Sequence, residues 1–443
     1  MKNIKRFISF LLLAVIAVTG FISCDDNSQT TDPVTENIDY AASVALDMTS
    51  TTLKEEVTVK IFIDGDTTHF NVSRSVSETG VLKARYLAIN TPESTGQIEE
   101  YGKAAANFTK EKLSAAESII VESDDGNWNL DSTGARHLVW VWYRNSESEP
   151  YRNLNIEILQ NGLAIASSSA NNRYGDVCMA AINQAKANKL NCHSGQKDPD
   201  FYYGEAVELT LKELRCNIDS YNGVKVAFNG IITKNEGQTV YIEDYDAETE
   251  MYYGMAIYYG YNLTGTGLDI LSVGNEARIV GTVQYYEAGG TYQVSGLSYR
   301  QMKPDDPGNI QMLSQGNSAA YFPVTADTFK NGKVTVEGED EVKEFSFASL
   351  AMNTTVEMKG LKVVDVYTTM NEDSSSYGAM TLTCECDGVQ ISVRTLVLID
   401  ENGNIIGEDM FMGKTIDVKG IVDYYDGSHQ IKLFSMNDVT FVD

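Results

Sequence analysis

"IDGDTTHF", Ile63–Phe70, places two carboxylates and a glycine inside an alternating apolar run, and its reading decides the fold of the first half of the chain. Residues 57–63 alternate as a strand, Asp64-Gly65 is a turn signal, and Thr67–Val72 reads as the return strand. Alone, this is a hairpin in which Asp66 is either a turn residue or an inward-facing ligand. The following stretch bears on the choice. "ARYLAINTPE", Ala84–Glu93, is a strand that ends in a polar, proline-bearing exit carrying Asn90, Thr91 and Glu93. "YGKAAANFTKEKL", Tyr101–Leu113, has the spacing of an amphipathic helix. "GARHLVWVW", Gly134–Trp142, is another apolar strand, opened by Arg136, and helical stretches follow at Leu154–Asn161 and Asp176–Lys189. Acidic groups, a glutamate and two arginines are thus presented from strand ends and loops.

The motifs "IDGDT", "RYLAINTPE", "YGKAAANF", "GARHLVWVW", "LQNGLA" and "INQAKANKL" occur in this order over Val57–Ser194, and the stretch resembles the staphylococcal nuclease family. The resemblance implies a five-stranded OB-type barrel with three helices that hydrolyses phosphodiester bonds of DNA, and of RNA as a second substrate, with Ca²⁺, leaving 3′-phosphates. By the resemblance, Asp66 is a calcium-binding aspartate and Thr91 the residue whose backbone carbonyl is a calcium ligand. Glu93 is the general base, and Arg85 and Arg136 contact the phosphate. Asn90 stands where the family has a second calcium-binding aspartate, so the metal set Asp66, Asn90 and Thr91 has one negative charge fewer and weaker Ca²⁺ binding is expected. The chemistry needs these residue types. Ca²⁺ takes oxygen ligands, a carboxylate can deprotonate the attacking water, and guanidiniums donate paired hydrogen bonds to phosphate oxygens. "GAR" also lacks a tyrosine that the family has before its arginine, and the family's nucleotide-contacting lysine and tyrosines find no match near Ser167–Asn172.

Upstream, Lys2, Lys5 and Arg6 precede the apolar run Phe7–Phe21, the pattern of a secretory signal too short for a confident spanning helix. "FISC" resembles the lipobox of bacterial lipoproteins, which makes Cys24 the lipidation site. The carboxylates after it resemble surface-export signals of Bacteroidetes lipoproteins. The expected location is extracytoplasmic, anchored in the outer membrane or cell surface through lipid. Five further cysteines, at 178, 192, 216, 384 and 386, leave an odd count, so the fold is not expected to rest on disulfides.

From about Ser220 the pattern changes to strands rich in Tyr and Gly, and it repeats. "VGNEARIVGTVQYY", Val273–Tyr286, matches "MGKTIDVKGIVDYY", Met412–Tyr425, and each copy has an upstream strand with glycine, "VAFNGII" and "VEMKGLKV". Repeated units of about a hundred residues indicate two domains of one type, here OB-like and all-β. Charge limits what they bind. Residues 51–204 hold 15 Lys+Arg against 20 Asp+Glu, net −5, and residues 205–443 hold 16 against 36, net −20. A nucleic-acid groove is basic, so the repeats are ill suited to grip DNA or RNA. The tyrosines of Tyr245–Asn262 are read as packing before stacking.

The expected organisation is a leader at 1–24, a tether at 25–50, a thermonuclease-like domain at 51–204 and OB-like domains at 205–306 and 307–443. The fold class is mainly β, with an α+β N-terminal domain. The function expected is that of a lipid-anchored, monomeric nuclease. The alternative is a nucleic-acid- or glycan-binding surface lipoprotein with a catalytically weakened nuclease domain. Because the nuclease motifs end before the repeats begin, a chain cut after about Gly204 is expected to fold and to cleave.

Overall fold

The computed structural model describes residues 37–442 except 97, 168–170, 261–262, 288, 338–341, 372–373, 375 and 401. The leader, Cys24 and residues 25–36 of the tether lie outside the described residues. Among the described residues, no helix is long and apolar enough to cross a membrane.

The first body is built from β1 (Lys54–Asp64), β2 (Thr67–Asn71), β3 (Val81–Tyr86), β4 (Ser118–Glu122) and β5 (His137–Arg144). Their order is β3-β2-β1-β4-β5, closed into a barrel by a parallel β3–β5 pairing. The expected helices are present as α1 (Gly102–Ala115), α2 (Leu154–Gln160) and α3 (Gly175–Ala187). Alternation along the strands sends Phe70, Leu82, Ala84, Val121, Val139 and Val141 inward, where each is fully buried. Leu154, Ile156, Ile158 and Leu159 of α2 join the same core.

Two further five-stranded barrels follow. The second uses β6 (Lys225–Glu236), β7 (Thr239–Asp246), β8 (Met251–Tyr258), β9 (Glu276–Tyr286) and β10 (Thr291–Ser295). The third uses β11 (Thr355–Thr368), β12 (Met380–Cys386), β13 (Val389–Thr395), β14 (Thr415–Tyr425) and β15 (Ser428–Leu433). In all three barrels, counting strands from the start of each, the order around the barrel is first, second, third, fifth, fourth and back to first, which is the OB arrangement. The mainly β expectation and the repeat are both met.

The repeated glycine has a physical cause. A Cβ on Gly281 would lie 2.6 Å from the Ser295 carbonyl oxygen, and one on Gly420 would lie 2.6 Å from that of Lys432. Both mark the bend where the fourth strand crosses the fifth. The upstream glycines are not equivalent, however. Gly230 is held by a close approach to Ile242 and Glu243, whereas Gly360 has φ +71° with open space around it, beside a register shift between Met358 and Leu361. The buried apolar side chains of the second and third barrels form one continuous cluster, separate from that of the first barrel. All five cysteines among the described residues are free.

Candidate active site

The site begins at the β1–β2 turn. Asp64 pairs with Thr67, leaving Gly65 and Asp66 at the tip. The turn is pressed inward by α1: a Cβ on Gly65 would lie 2.9 Å from Ala105 Cβ and 3.0 Å from the Thr91 side chain. Thr109 Oγ1 of that helix donates to the Gly65 carbonyl at 2.6 Å. Asp66 is consequently 1% exposed, which answers the question posed by the sequence: it occupies the turn, but its carboxylate faces the protein. Asp66 Oδ2 accepts from the Thr91 N–H at 2.8 Å and Oδ1 from the Thr67 hydroxyl at 3.0 Å. Asp66 Oδ1 also accepts from Arg85 Nη1.

Arg85 reaches Asp66 because β2–β3 pairing sets it opposite Thr67. Its second nitrogen, Nη2, donates to Asn90 Oδ1, so one planar guanidinium bridges Asp66 and Asn90. Thr91 lies next to them, 2% exposed, and its Oγ1 is buried with no hydrogen-bond partner among the described residues. Four of the six residues expected from the motif are therefore brought together.

Glu93 is exposed at the start of the next loop. The loop closes on itself, with the Glu99 N–H donating to the Glu93 carbonyl at 2.8 Å and the Glu93 N–H donating to Glu99 Oε2 at 3.0 Å. Helix α1 begins directly against it: a Cβ on Gly102 would lie 2.1 Å from the Glu93 carbonyl oxygen, so only glycine fits there. Asp64 ties the loop to the turn, its Oδ1 accepting from Ser94 N at 3.2 Å and Ser94 Oγ at 2.7 Å. Burial pushes the Asp64 carboxyl well above the usual carboxylate range; the Ser94 hydrogen bond pulls it down, and the neighbouring Glu93 carboxyl pushes it up again. Asp64, read from sequence only as a turn residue, is thus the buried partner of Glu93.

Arg136 is placed differently. It lies one residue before the His137–Ala84 pair that opens the β5–β3 ladder, so it leaves the same sheet as Arg85. Its guanidinium is engaged by Asp131, with Nε and Nη2 both 2.7 Å from Oδ2. Burial pushes the Asp131 carboxyl up, but the Thr133 hydroxyl and the Arg136 guanidinium outweigh it and hold it at about 2. The sequence reading puts Arg136 beside the acidic cluster; in the structure its guanidinium is paired with Asp131.

The described residues contain no group of three His, Cys, Asp or Glu side chains suited to a metal. The donor set here is mixed: the Asp66 carboxylate, the Asn90 amide oxygen and the Thr91 carbonyl. Two of these oxygens already converge on a cationic group, the Arg85 guanidinium, and the unpartnered Thr91 hydroxyl lies beside them. An all-oxygen set that attracts positive charge fits a hard divalent cation.

Sequence reasoning missed the residues that hold the Glu93 loop from outside. Gln284 Nε2 donates to the Ser94 carbonyl at 3.2 Å and Ser295 Oγ to the Gly96 carbonyl at 3.0 Å, from 190 and 199 residues away. No local signal could have found them. Among the tyrosines of Tyr245–Asn262, Tyr253 is 1% exposed and packs as expected, whereas Tyr245 is 46% exposed and meets Tyr252 with its ring tilted at 53°.

Residues 83–194 match the family described as Staphylococcal nuclease homologue. The match covers Arg85, Asn90, Thr91, Glu93 and Arg136 and begins after Asp66, which joins them through the pairing of β2 with β3. Motif order, barrel topology and this match agree: residues 83–194 form a staphylococcal nuclease domain, and β1 and β2 complete the barrel to which it belongs.

Proposed function

We propose that the first barrel hydrolyses phosphodiester bonds of DNA, and of RNA as a second substrate, in a Ca²⁺-dependent reaction. The observation that carries this reading is the single guanidinium of Arg85 bridging Asp66 and Asn90, with Glu93 three residues beyond Asn90 on the loop that follows. Asp66, Asn90 and the Thr91 carbonyl are the residues that would hold the ion, which when bound polarises a phosphate oxygen.

The chain's own groups do the rest. Glu93, exposed to water, accepts a proton from the attacking water molecule. Burial and the Glu93 carboxyl both raise the neighbouring Asp64 carboxyl, which disfavours two charged carboxylates at that spot. Arg85 exchanges its contacts with Asp66 and Asn90 for the phosphate, donating two parallel hydrogen bonds as charge builds on the oxygens. Arg136 supplies the second guanidinium after release from Asp131. The second and third barrels, net −20 between residues 205 and 443, repel polyanions and leave substrate binding to the first.

The test is digestion of plasmid, single-stranded DNA and RNA by the chain lacking residues 1–24, with Ca²⁺ and with chelator. Cleavage that requires Ca²⁺ and fails in Glu93→Gln is expected. A wild type inert at millimolar Ca²⁺ on every substrate overturns the reading and favours the second one, a binding protein with a weakened nuclease domain, which Asn90 and the Asp131–Arg136 pair motivate. The leader reading adds that the protein works outside the cytoplasm, tethered at Cys24. Release of Cys24→Ala from the membrane fraction tests that part.

A further inference from the structure

Ser295 is fully buried and Gln284 is 7% exposed. Both lie in the second barrel, on the adjacent strands β9 and β10. Ser295 Oγ also lies within hydrogen-bond reach of Gln284 Oε1, so its single proton serves either that oxygen or the Gly96 carbonyl; with Oε1 turned toward Ser295, the amide NH₂ points outward. That NH₂ then meets the Ser94 carbonyl at 3.2 Å, and the Ser295 oxygen meets the Gly96 carbonyl at 3.0 Å. Two buried side chains of one barrel therefore meet two backbone carbonyls of another, in the loop that begins at Glu93, with the Gln284 NH₂ as the constant donor and the Ser295 hydroxyl as a shared one. A buried polar group left without its partner is destabilising, so neither side of this joint is indifferent to the other. An ion pair between Lys110 of α1 and Glu287, just after β9, lies on the same side; both partners are about half exposed, and such a pair contributes little.

We infer that the second barrel is a working part of the site on the first: Gln284 and Ser295 are positioning residues that hold the loop carrying Glu93. The inference rests on the proposed function for the role of Glu93, but the clamp itself does not. The loop is held from two sides. Asp64 ties Ser94 to the β1–β2 turn through the Ser94 N–H and hydroxyl, and the second barrel holds the Ser94 and Gly96 carbonyls. With both in place, the Glu93 backbone has a fixed path between the metal-ligand cradle and the start of α1. Preorganisation of a reacting group by the groups behind it is a recognised source of rate. The contact removes the ground for expecting a chain cut after about Gly204 to cleave normally, since that cut discards both donors.

The experiment uses the full chain lacking only residues 1–24, as wild type, Gln284→Ala, Gln284→Glu, Ser295→Ala and the Gln284→Ala/Ser295→Ala double variant. Gln284→Glu keeps the side-chain volume and the acceptor for Ser295 but loses the NH₂ donor. Two readouts are taken. The first is amide exchange at Ser94 and Glu99, whose N–H groups are bonded within and beside the loop, with amides of the β9–β10 ladder as an internal control. The second is kcat and KM on single-stranded DNA. The expected result is loop exchange faster by roughly three- to tenfold in each single variant and by about tenfold or more in the double variant, from the usual net worth of a hydrogen bond. The ladder control stays at its wild-type rate, Gln284→Glu behaves like Gln284→Ala, and kcat falls while KM stays within about twofold.

Unchanged loop exchange in the double variant, with an intact ladder, overturns the inference whatever the activity does. If an alanine variant loses the ladder itself, Gln284→Glu decides: wild-type loop exchange there overturns the clamp, and faster exchange upholds it. If the loop loosens as expected but the wild type cleaves nothing, the clamp stands and the nuclease reading falls.

Discussion

The second and third barrels share a sequence repeat, a strand order and a glycine bend, yet they dock onto what precedes them with opposite chemistry. In the repeat, Thr282 corresponds to Ile421 and Gln284 to Asp423, and the paired residues Ser295 and Lys432 correspond on the neighbouring strand. In the second barrel these positions are polar, and Gln284 and Ser295 hydrogen-bond the Glu93 loop. In the third barrel Ile421 is fully buried against Tyr241, Ala256 and Phe434, and Lys432 meets Glu236 at 2.6 Å. Asp423 does not cross to the neighbour but accepts from Gln430 within its own barrel at 2.8 Å. Topology decides which strand pair faces the preceding body, and side-chain chemistry decides how stiff the joint is. The joint between second and third barrels is fused by apolar burial, reinforced by buried Glu243, which accepts from Ala320 N and from Thr355 N and Oγ1. The joint at the Glu93 loop consists of hydrogen bonds, which are directional and individually weak, with one half-exposed ion pair beside them.

That contrast can be broken at its strongest point first. Ile421→Ala removes a fully buried side chain from the fused joint, with an expected loss of about 2–5 kcal/mol in unfolding free energy of the C-terminal pair. Gln284→Ala at the polar joint should lower stability by only about 1 kcal/mol. Denaturant unfolding of both variants measures the ratio, and equal losses would end the distinction between a fused and a polar joint.

The next effect asks whether the loop held by the polar joint carries the chemistry. Glu93→Gln should slow cleavage by on the order of 10²-fold while leaving the unfolding midpoint within experimental scatter, because Glu93 is exposed and its amide isostere keeps its volume. Retained activity would leave the loop clamp as architecture without a catalytic purpose.

A smaller change is expected on the other side of Arg85. Asn90→Asp adds the charge that the family's usual ligand set has, so the Ca²⁺ concentration for half-maximal activity should fall by roughly tenfold. Calorimetric titration of Ca²⁺ gives the same answer without substrate. An unchanged affinity would place the metal away from Asn90.

The smallest effect concerns pH and the fused joint. Burial raises the Glu243 carboxyl above its ordinary value, against the pull of its hydrogen bonds with Ala320 and Thr355. The folded state therefore holds this proton more tightly than the unfolded chain does. Its stabilising contribution is complete below the ordinary glutamate range and is lost as pH rises through the raised folded value. Unfolding free energy of the C-terminal pair should decline with rising pH above about 4.5, and Glu243→Gln should flatten that decline. The net charge of −20 adds repulsion over the same range, so the difference between wild type and variant isolates the group. Parallel pH profiles would show that Glu243 titrates as an ordinary carboxylate.

Most of the architecture was legible in the chain itself. Alternation and turn residues located the β1–β2 hairpin and the three helices, because each of these signals spans a few residues and is carried by local backbone preference and periodic burial; the strand expected over Ala84–Glu93 instead ends at Tyr86, where the backbone turns through Ala88 at φ +70°. The spacing of Asp66, Asn90, Thr91, Glu93 and the two arginines was equally local, and so was the repeat with its recurring glycine. Tertiary structure alone decided how those residues are used. It turned Asp66 inward because α1 packs on the glycine beside it, joined Asp66 to Asn90 through Arg85, and gave Arg136 to Asp131. It made Asp64 the buried neighbour of Glu93, and it brought Gln284 and Ser295 from a separate barrel to the Glu93 loop. Contacts across nearly two hundred residues leave no periodicity, spacing or turn signal behind. They arise from how closed barrels pack, so a glutamine on a strand looks the same in sequence whether it faces water or holds another domain's loop.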